Sequence, residues 1–469
     1  MNHLYFLVFL LVLGFGAAAL HYLGILMKRI QNLEPGIDLD ETKSETGIFK
    51  MLLVYGIPVS IVAYGGYILV AELGWQAHVL DWIHLIVRWF HVVIGIAWIG
   101  ASFYFIFLEN SLNRTENLRD ELAGNLWAVH GGGFYYLEKY KTAPPVLPKT
   151  LHWFKYEAYF TWLSGIVLLM LVYYFNAGAY MIDPSVADIS EGAAIGIGAG
   201  TLLLGWLIYD TMCKSPLLQQ KKLFALIGFG ILVGFSVFLS SYLSGRAAFI
   251  HIGALLGTIM AGNVFFVIIP AQKALVKAAR MGKPVNPELG KIAGLRSLHN
   301  NYTTLPVIFV MISNHFPVTY GTGWNWLILA ILIIGSVAVR HYINMHEKGI
   351  HLTWMLPIGA ASLFAAVIIT APSTQKPVSG SGEKITWAHV EPILKERCQT
   401  CHSSHPTDDV FKVAPSGVMF ETYEQAEKMS EKIQNRVVET KTMPQGNKTK
   451  ITDEERALIG EWIATGMAR

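Results

Sequence analysis

Charged residues are scarce in this chain, cysteines are few, and no basic residue precedes its first apolar run. Only 15% of the 469 residues are charged, too few for the two or three ordinary soluble domains that this length would otherwise allow. The net charge is +3 and the charges are clustered, so nothing in the balance calls for nucleic acid. Three cysteines cannot build a disulfide framework. Cys213 stands alone near a helix end and reads as a reduced bystander. No Lys or Arg stands before residue 28, and Lys28 and Arg29 follow the apolar run directly. That order excludes a cleavable signal and predicts an uncleaved first helix with its N-terminus outside.

What the chain has in excess is apolar length. Hydrophobic residues make up 53% of it, and the mean hydropathy is +0.42. Apolar runs of roughly 20 residues mark transmembrane helices. Ten spans are predicted, near 3–27, 51–72, 82–110, 157–177, 193–212, 222–243, 247–270, 301–315, 324–346 and 352–371. The eighth is short and contains Pro306. Lys and Arg concentrate in alternate connections, at 28–50, 114–155, 214–222, 273–296 and 340–348, whereas the intervening ones hold only Arg246. Positive charge marks the cytoplasmic side, so the alternation supports ten spans with both termini outside. The fold class is therefore an all-α polytopic membrane protein, with a transmembrane domain at 1–372.

The text changes after Pro372. Residues 373–383 form a Ser/Gly/Pro linker, and 384–469 are polar, with helical stretches near 386–397, 423–440 and 452–465. Cys398-Gln399-Thr400-Cys401-His402 is a C-x-x-C-H sequence, the attachment pattern of a c-type haem. Two thiols one helical turn apart add to the two vinyl groups of one porphyrin, and His402 then points at the iron. The sixth ligand should be soft and come later in the domain. Met443, in Thr442-Met443-Pro444, fits because a thioether raises the haem potential. Met419 and Met429 are the rival sulfurs. The last helix, with Trp462, would cover the porphyrin. An all-α cytochrome c domain at 384–469 on the periplasmic side agrees with the charge-derived topology, because haem is attached outside the cytoplasm.

Ionisable groups inside a span are costly, which makes them functional candidates. His84, Arg88 and His91 share one helix face by their spacing. His251 opens the seventh span and His315 ends the eighth. The runs from Phe90 and from Ile250 are weakly alike, each passing from a His through small residues to an aromatic end. Two facing histidines, His91 and His251, would hold a b-type haem between helices, with Arg88 pairing a propionate. The alternative is that they are satisfied core or interfacial histidines. A second set lies toward the cytoplasm: His130, His152, His299, His341, His346 and His351. The segments His130-Gly131-Gly132-Gly133, His152-Trp153-Phe154-Lys155-Tyr156-Glu157 and His299-Asn300-Asn301 combine imidazoles, amides and aromatic faces. They suit a flat, hydrogen-bonding heterocycle, although interfacial belts are rich in Trp, Tyr and His in any case.

These same segments resemble the bacterial membrane-bound urate hydroxylases, the cytochrome-linked urate oxidases. The matching stretches run from Arg88-Trp89-Phe90-His91 through Phe105, from Ala128-Val129-His130 through Tyr135, from His152 through Gly165, from Leu298-His299-Asn300-Asn301 through Pro317, and from Met443-Pro444 to Arg456. The resemblance as a whole extends over nearly the whole chain. The resemblance implies oxidation of urate to 5-hydroxyisourate, with electrons passed to haem c and on to an external cytochrome c or terminal oxidase, in a bacterial inner membrane. It carries no catalytic assignment. On the residues alone, Lys155 would offset the charge of the anion, and His130, His152, Glu157 or His299 would take protons. Asn300 and Asn301 would bond the carbonyls or ring nitrogens. The competing readings are a quinol-to-cytochrome c electron-transfer protein without purine chemistry, and a transporter or sensor carrying a cytochrome.

Overall fold

The computed structural model describes Gly66 and residues 75–115, 117–371 and 385–469. The expected spans at 3–27 and 51–72 and the linker at 373–383 lie outside the described residues. Among the described residues, six helices are long and apolar enough to cross a membrane. They are contained in α1 (Gln76–Ser111), α2 (Tyr156–Leu169, continued by a π turn Met170–Tyr174), α3 (Glu191–Lys214), α4 (Lys221–Tyr242), α5 (Gly245–Gly262, continued through Asn263–Ile268 and Ile269–Arg280) and α7 (Asn325–His346). Helix α8 (Met355–Ile369) is apolar but shorter. Helix α6 (Pro287–Ser313) overlaps the expected span at 301–315, ending two residues short of it and beginning well before it, with a polar first half. Pro306 sits inside α6 without ending it, as neighbouring helices permit in a membrane.

The starts of these helices follow from local chemistry. Ser190 and Ser244 accept the backbone N–H groups of Ala193 and Ala247 at the heads of α3 and α5. Asn286 does the same for Glu288 at the head of α6, where Pro287 occupies the first turn and has no N–H to lose. Helix α5 is the central element: His251, Ile252, Leu255 and Met260 are all fully or nearly fully buried. Leu203, Ile96, Phe364 and Val367 instead point outward, each at least 60% exposed. An apolar exterior around a packed interior suits a lipid solvent.

One element departs from the all-α expectation. The connection 114–155 contains a hairpin of β1 (Leu122–His130) and β2 (Gly133–Tyr140), paired antiparallel with Trp127 opposite Tyr136 and His130 opposite Gly133. Gly131 and Gly132 both have positive φ, 58° and 77°, the backbone that a two-residue hairpin turn requires. The glycine run is thus a turn. Charged residues interspersed among aromatics hid the two-residue alternation that marks a strand.

The C-terminal residues build their own apolar core around Val390, Leu394, Cys398, Ile433, Ile459 and Trp462, from α9 (Trp387–Arg397), the helical stretches at Tyr423–Glu439 and α10 (Asp453–Ala464). Trp462 is fully buried, donates to the Ala468 carbonyl at 3.0 Å and packs on Trp387. This part rests on loops of the membrane part. The Tyr180 and Phe411 rings lie 6.2 Å apart, and Gly446 lies so close to the Ile182 carbonyl that a Cβ would come within 2.6 Å of it.

Candidate functional site

Asn300 and Asn301 are neighbours on α6 and point to different helices, as successive residues on a helix must. Asn300 belongs to a network with α3 and α5. Asn263 Nδ2 donates to Asn300 Oδ1 at 2.8 Å and to the Tyr209 hydroxyl at 3.0 Å, and Asn300 Nδ2 donates to the Met260 carbonyl. Arg296 donates to Asn263 Oδ1 and to Asp210 Oδ1, and Lys214 pairs with the other Asp210 oxygen. His299 Nδ1 lies 2.9 Å from the Tyr209 hydroxyl, with Phe224 stacked on the ring. Every charge here has its opposite and every amide its partners. A polar network satisfied in this way fixes helix packing. The structure therefore brings His299 and Asn300 together, but in a closed assembly.

Asn301 belongs to an open one. Its Oδ1 accepts from Arg340 Nε at 2.8 Å and from Asn344 Nδ2 at 3.0 Å, both on α7, and its Nδ2 reaches the Ser102 carbonyl on α1. The Arg340 guanidinium lies 4.2 Å over the Phe103 ring. Asn301, Arg340 and Asn344 are at most 3% exposed. Three buried polar atoms on residues of this group have no partner: Arg340 Nη2, Asn344 Oδ1 and Ser102 Oγ. No carboxylate pairs with Arg340 among the described residues, since the nearby Glu347 takes its hydrogen bond from Asn110. A buried guanidinium without a counterion is unfavourable by several kcal/mol, so the group is built for an anion. Beside it the Tyr302 hydroxyl and His341 Nδ1 lie 2.6 Å apart. One turn beyond Asn344, Lys348 helps line a polar cleft of about 560 Å³ with Glu109, Asn110, Asn113 and Arg114.

The remaining sequence candidates are dispersed. His130 is exposed at the end of β1, and His152 is exposed against Phe154. Lys155 is 2% exposed beside the Trp153 and Tyr156 rings, with no carboxylate partner among the described residues. Glu157 leaves Oε2 unpartnered. Sequence reasoning missed Arg340 as a site residue because it counts as one more positive charge at a cytoplasmic helix end. The usable signal was its position inside an apolar run, six residues before the end of α7.

The two histidines expected to share a membrane haem each have partners of their own. His91 Nδ1 lies 3.1 Å from the Thr161 carbonyl and 3.0 Å from Ser164 Oγ on α2. His251 is fully buried and its Nδ1 donates to the Ala247 carbonyl at 2.8 Å. Its Nε2 faces the Tyr174 hydroxyl at 3.3 Å and Gly198 on α3. A shared haem needs both Nε2 atoms aimed at one iron, and His251 Nε2 is already seated between Gly198 and Tyr174. The arrangement around His251 does not fit that cofactor. A Cβ at Gly198 would lie 2.3 Å from His251 Nε2. Gly198→Ala should therefore lower the thermal unfolding temperature, by the about 1–3 kcal/mol typical of an overpacked core. Gly196→Ala, which meets nothing within 4 Å, should not.

In the C-terminal part, His402 Nδ1 lies 2.9 Å from the Val418 carbonyl. A carbonyl only accepts, so Nδ1 carries the proton and Nε2 keeps a free lone pair. Burial holds this imidazole below its ordinary pKa, partly offset by the Val418 bond. Burial also pushes the Cys398 thiol up to about 12. Met443 packs on the cluster that includes Cys398, and its backbone N–H donates to the Arg436 carbonyl. Cys398 and the Met443 thioether thus share one small core, and Cys401 and His402 follow Cys398 in the chain, donor types that fit a covalent haem.

Asp408 anchors the loop that follows. Burial raises its pKa, but hydrogen bonds from Lys448 and from the Phe411 and Val410 amides outweigh that and hold the carboxyl below its usual range. The stability it contributes is complete above its unfolded pKa of about 3.9 and is lost as pH falls through the lower folded value. Acid unfolding followed by far-UV circular dichroism should show Asp408→Asn less stable than the native chain at neutral pH, with the gap closing below about pH 4.

The family model described as Urate oxidase N-terminal matches residues 77–371, well over half of the chain. No curated protein and no solved structure matches.

Proposed function

Because this chain belongs to the Urate oxidase N-terminal family, which implies an oxidoreductase acting on urate, we propose that it is a membrane urate hydroxylase. It binds urate at Arg340, Asn301, Asn344 and Ser102, and a covalent haem in its C-terminal part accepts the electrons. The observation that carries this reading is the buried, unpaired Arg340 with three orphan polar atoms around it. Urate is a flat purine and a monoanion near neutral pH. Arg340 Nη2 donates to a urate oxygen and supplies the opposite charge, Asn344 Oδ1 accepts a ring N–H, and Ser102 Oγ does either.

The chemistry balances simply. Urate and one water give 5-hydroxyisourate, two protons and two electrons; a C–O bond forms at ring carbon 5 as the electrons leave. His341, next to Arg340 and tied to Tyr302, is the group placed to take a proton. Asn301 holds Arg340 and Asn344 in position through one shared oxygen. Held by Cys398, Cys401, His402 and Met443, a haem supplies a one-electron acceptor at a potential raised by the thioether.

Lys155, buried with no carboxylate partner and two residues from Glu157, supports a second reading in which the anion binds there. Anaerobic addition of urate to the purified protein should produce a reduced c-type haem spectrum, and the new oxygen in the product should come from isotopically labelled water. Reduction by a quinol but not by urate would leave an electron-transfer protein without purine chemistry. Whichever of Arg340→Gln and Lys155→Gln raises the urate KM identifies the pocket.

A further inference from the structure

Two arginines meet where the C-terminal part rests on the membrane part, and neither forms an ion pair among the described residues. Arg246, in the first turn of α5, lies over the Tyr180 ring at 5.0 Å and the Tyr173 ring at 6.0 Å. Its polar partners are neutral: Asn314 Oδ1, 3.4 Å from Nε, which also accepts from the Tyr173 hydroxyl at 2.7 Å, and that Tyr173 side chain itself. It is also the one basic residue in the connections between spans on the face opposite the positive ones.

Arg436 reaches the same place from the other side. Its carbonyl accepts from the Met443 N–H at 2.9 Å, so its backbone is fixed beside the thioether expected to ligate iron. Its guanidinium acts electrostatically on both His402 and Tyr320. The junction is tight around both residues. A Cβ on Gly245, the neighbour of Arg246, would come within 2.2 Å of the Tyr320 carbonyl, and a Cβ on Gly321 would come within 2.7 Å of Thr440. Thr440 follows the helical turn Gln434–Glu439 that carries Arg436.

Like charges that are half-buried at one junction repel, and each is left without a counterion. An acidic side chain would relieve them, and none among the described residues forms an ion pair with either. A haem carries two carboxylates on one edge of its ring. We infer that Arg246 and Arg436 together clamp the carboxylates of the haem held at Cys398, Cys401 and His402, so that the cofactor itself fastens the C-terminal part to the membrane part. The inference rests on the functional reading above. It explains why a loop otherwise free of basic residues keeps one arginine, and why that arginine is surrounded by tyrosine rings in place of a carboxylate.

The test uses the intact, haem-loaded protein with Arg246→Gln, Arg246→Lys and Arg436→Gln, each checked for covalent haem by the pyridine haemochrome assay. A nearby cation favours the reduced, more negative haem, so both Gln variants should lower its midpoint potential, and Arg246→Lys should recover part of the loss. The propionate-bending band in resonance Raman spectra should shift in both Gln variants, a signature that a merely structural arginine would not move. A lipid phosphate is the other anion able to sit between two arginines at a membrane face. In that case delipidation would shift stability while the potential and the band stay fixed, and the clamp would be refuted. Covalent haem with an unmoved potential and band in Arg246→Gln overturns the inference alone. Absence of covalent haem from the native protein overturns the reading beneath it and the clamp together.

Discussion

Arg340→Gln should raise the urate KM by about 100-fold while leaving the thermal unfolding temperature unchanged or higher. The two halves of that result have one cause. A charge-assisted hydrogen bond to a buried anion contributes up to about 3 kcal/mol, which is a factor of roughly 100 in affinity. In the empty protein the same guanidinium is a buried charge that pairs with no carboxylate among the described residues, the nearby Glu347 being bonded to Asn110, so replacing it by a neutral amide of similar reach removes a penalty. A residue that only held helices together would show the opposite, with stability falling first. His299→Ala gives that contrast. His299 sits in the satisfied network with Tyr209, so its loss should cost about 1–3 kcal/mol of stability and leave the urate KM within about threefold of the native value, which is roughly 0.6 kcal/mol. Steady-state kinetics and calorimetry on the two variants separate the cases. An unmoved KM in Arg340→Gln would falsify the proposed pocket.

The second large effect is expected from the paired change Cys398→Ala and Cys401→Ala. It should abolish covalent haem in the pyridine haemochrome assay and reduce urate-dependent electron output to background. Equilibrium urate binding, measured by isothermal titration, should survive within about threefold, or roughly 0.6 kcal/mol, because Asn301, Arg340 and Asn344 all lie in the membrane part. Met443→Ala should retain the haem and lower its potential, since the thioether is the ligand that raises it. Covalent haem persisting without both thiols would disprove the assignment.

Several features of the fold were legible without coordinates, and each has a physical basis. The spans near 82–110, 193–212, 222–243 and 324–346 reappear as helices with edges within a few residues, because a bilayer demands that each crossing satisfy its own backbone over about 20 apolar residues. The hairpin was not legible. Its strands depend on pairing between Leu122–His130 and Gly133–Tyr140, and a short strand with one charged and aromatic-rich face lacks a distinctive period. Within the candidate segment His130-Gly131-Gly132-Gly133, the positive φ values of Gly131 and Gly132 serve the turn.

The candidate site divides the same way. Residue chemistry alone picked out the segment His299-Asn300-Asn301 and the C-x-x-C-H run, and resemblance pointed to the family. It could not say that Asn300 completes a closed network and Asn301 an open one, because 100° of helical rotation sends them to different neighbours. Nor could it show that Arg340, 39 residues further on, would share an oxygen with Asn301, or that His251 would have its Nε2 packed against Gly198. What the sequence by itself determined is what depends on local composition: apolar length, basic clusters, a five-residue attachment motif and long family segments. What only the tertiary structure decided is which polar atoms are left without partners, since that depends on every helix packed around them, and an unpartnered buried charge is the physical mark of a place where something else must bind.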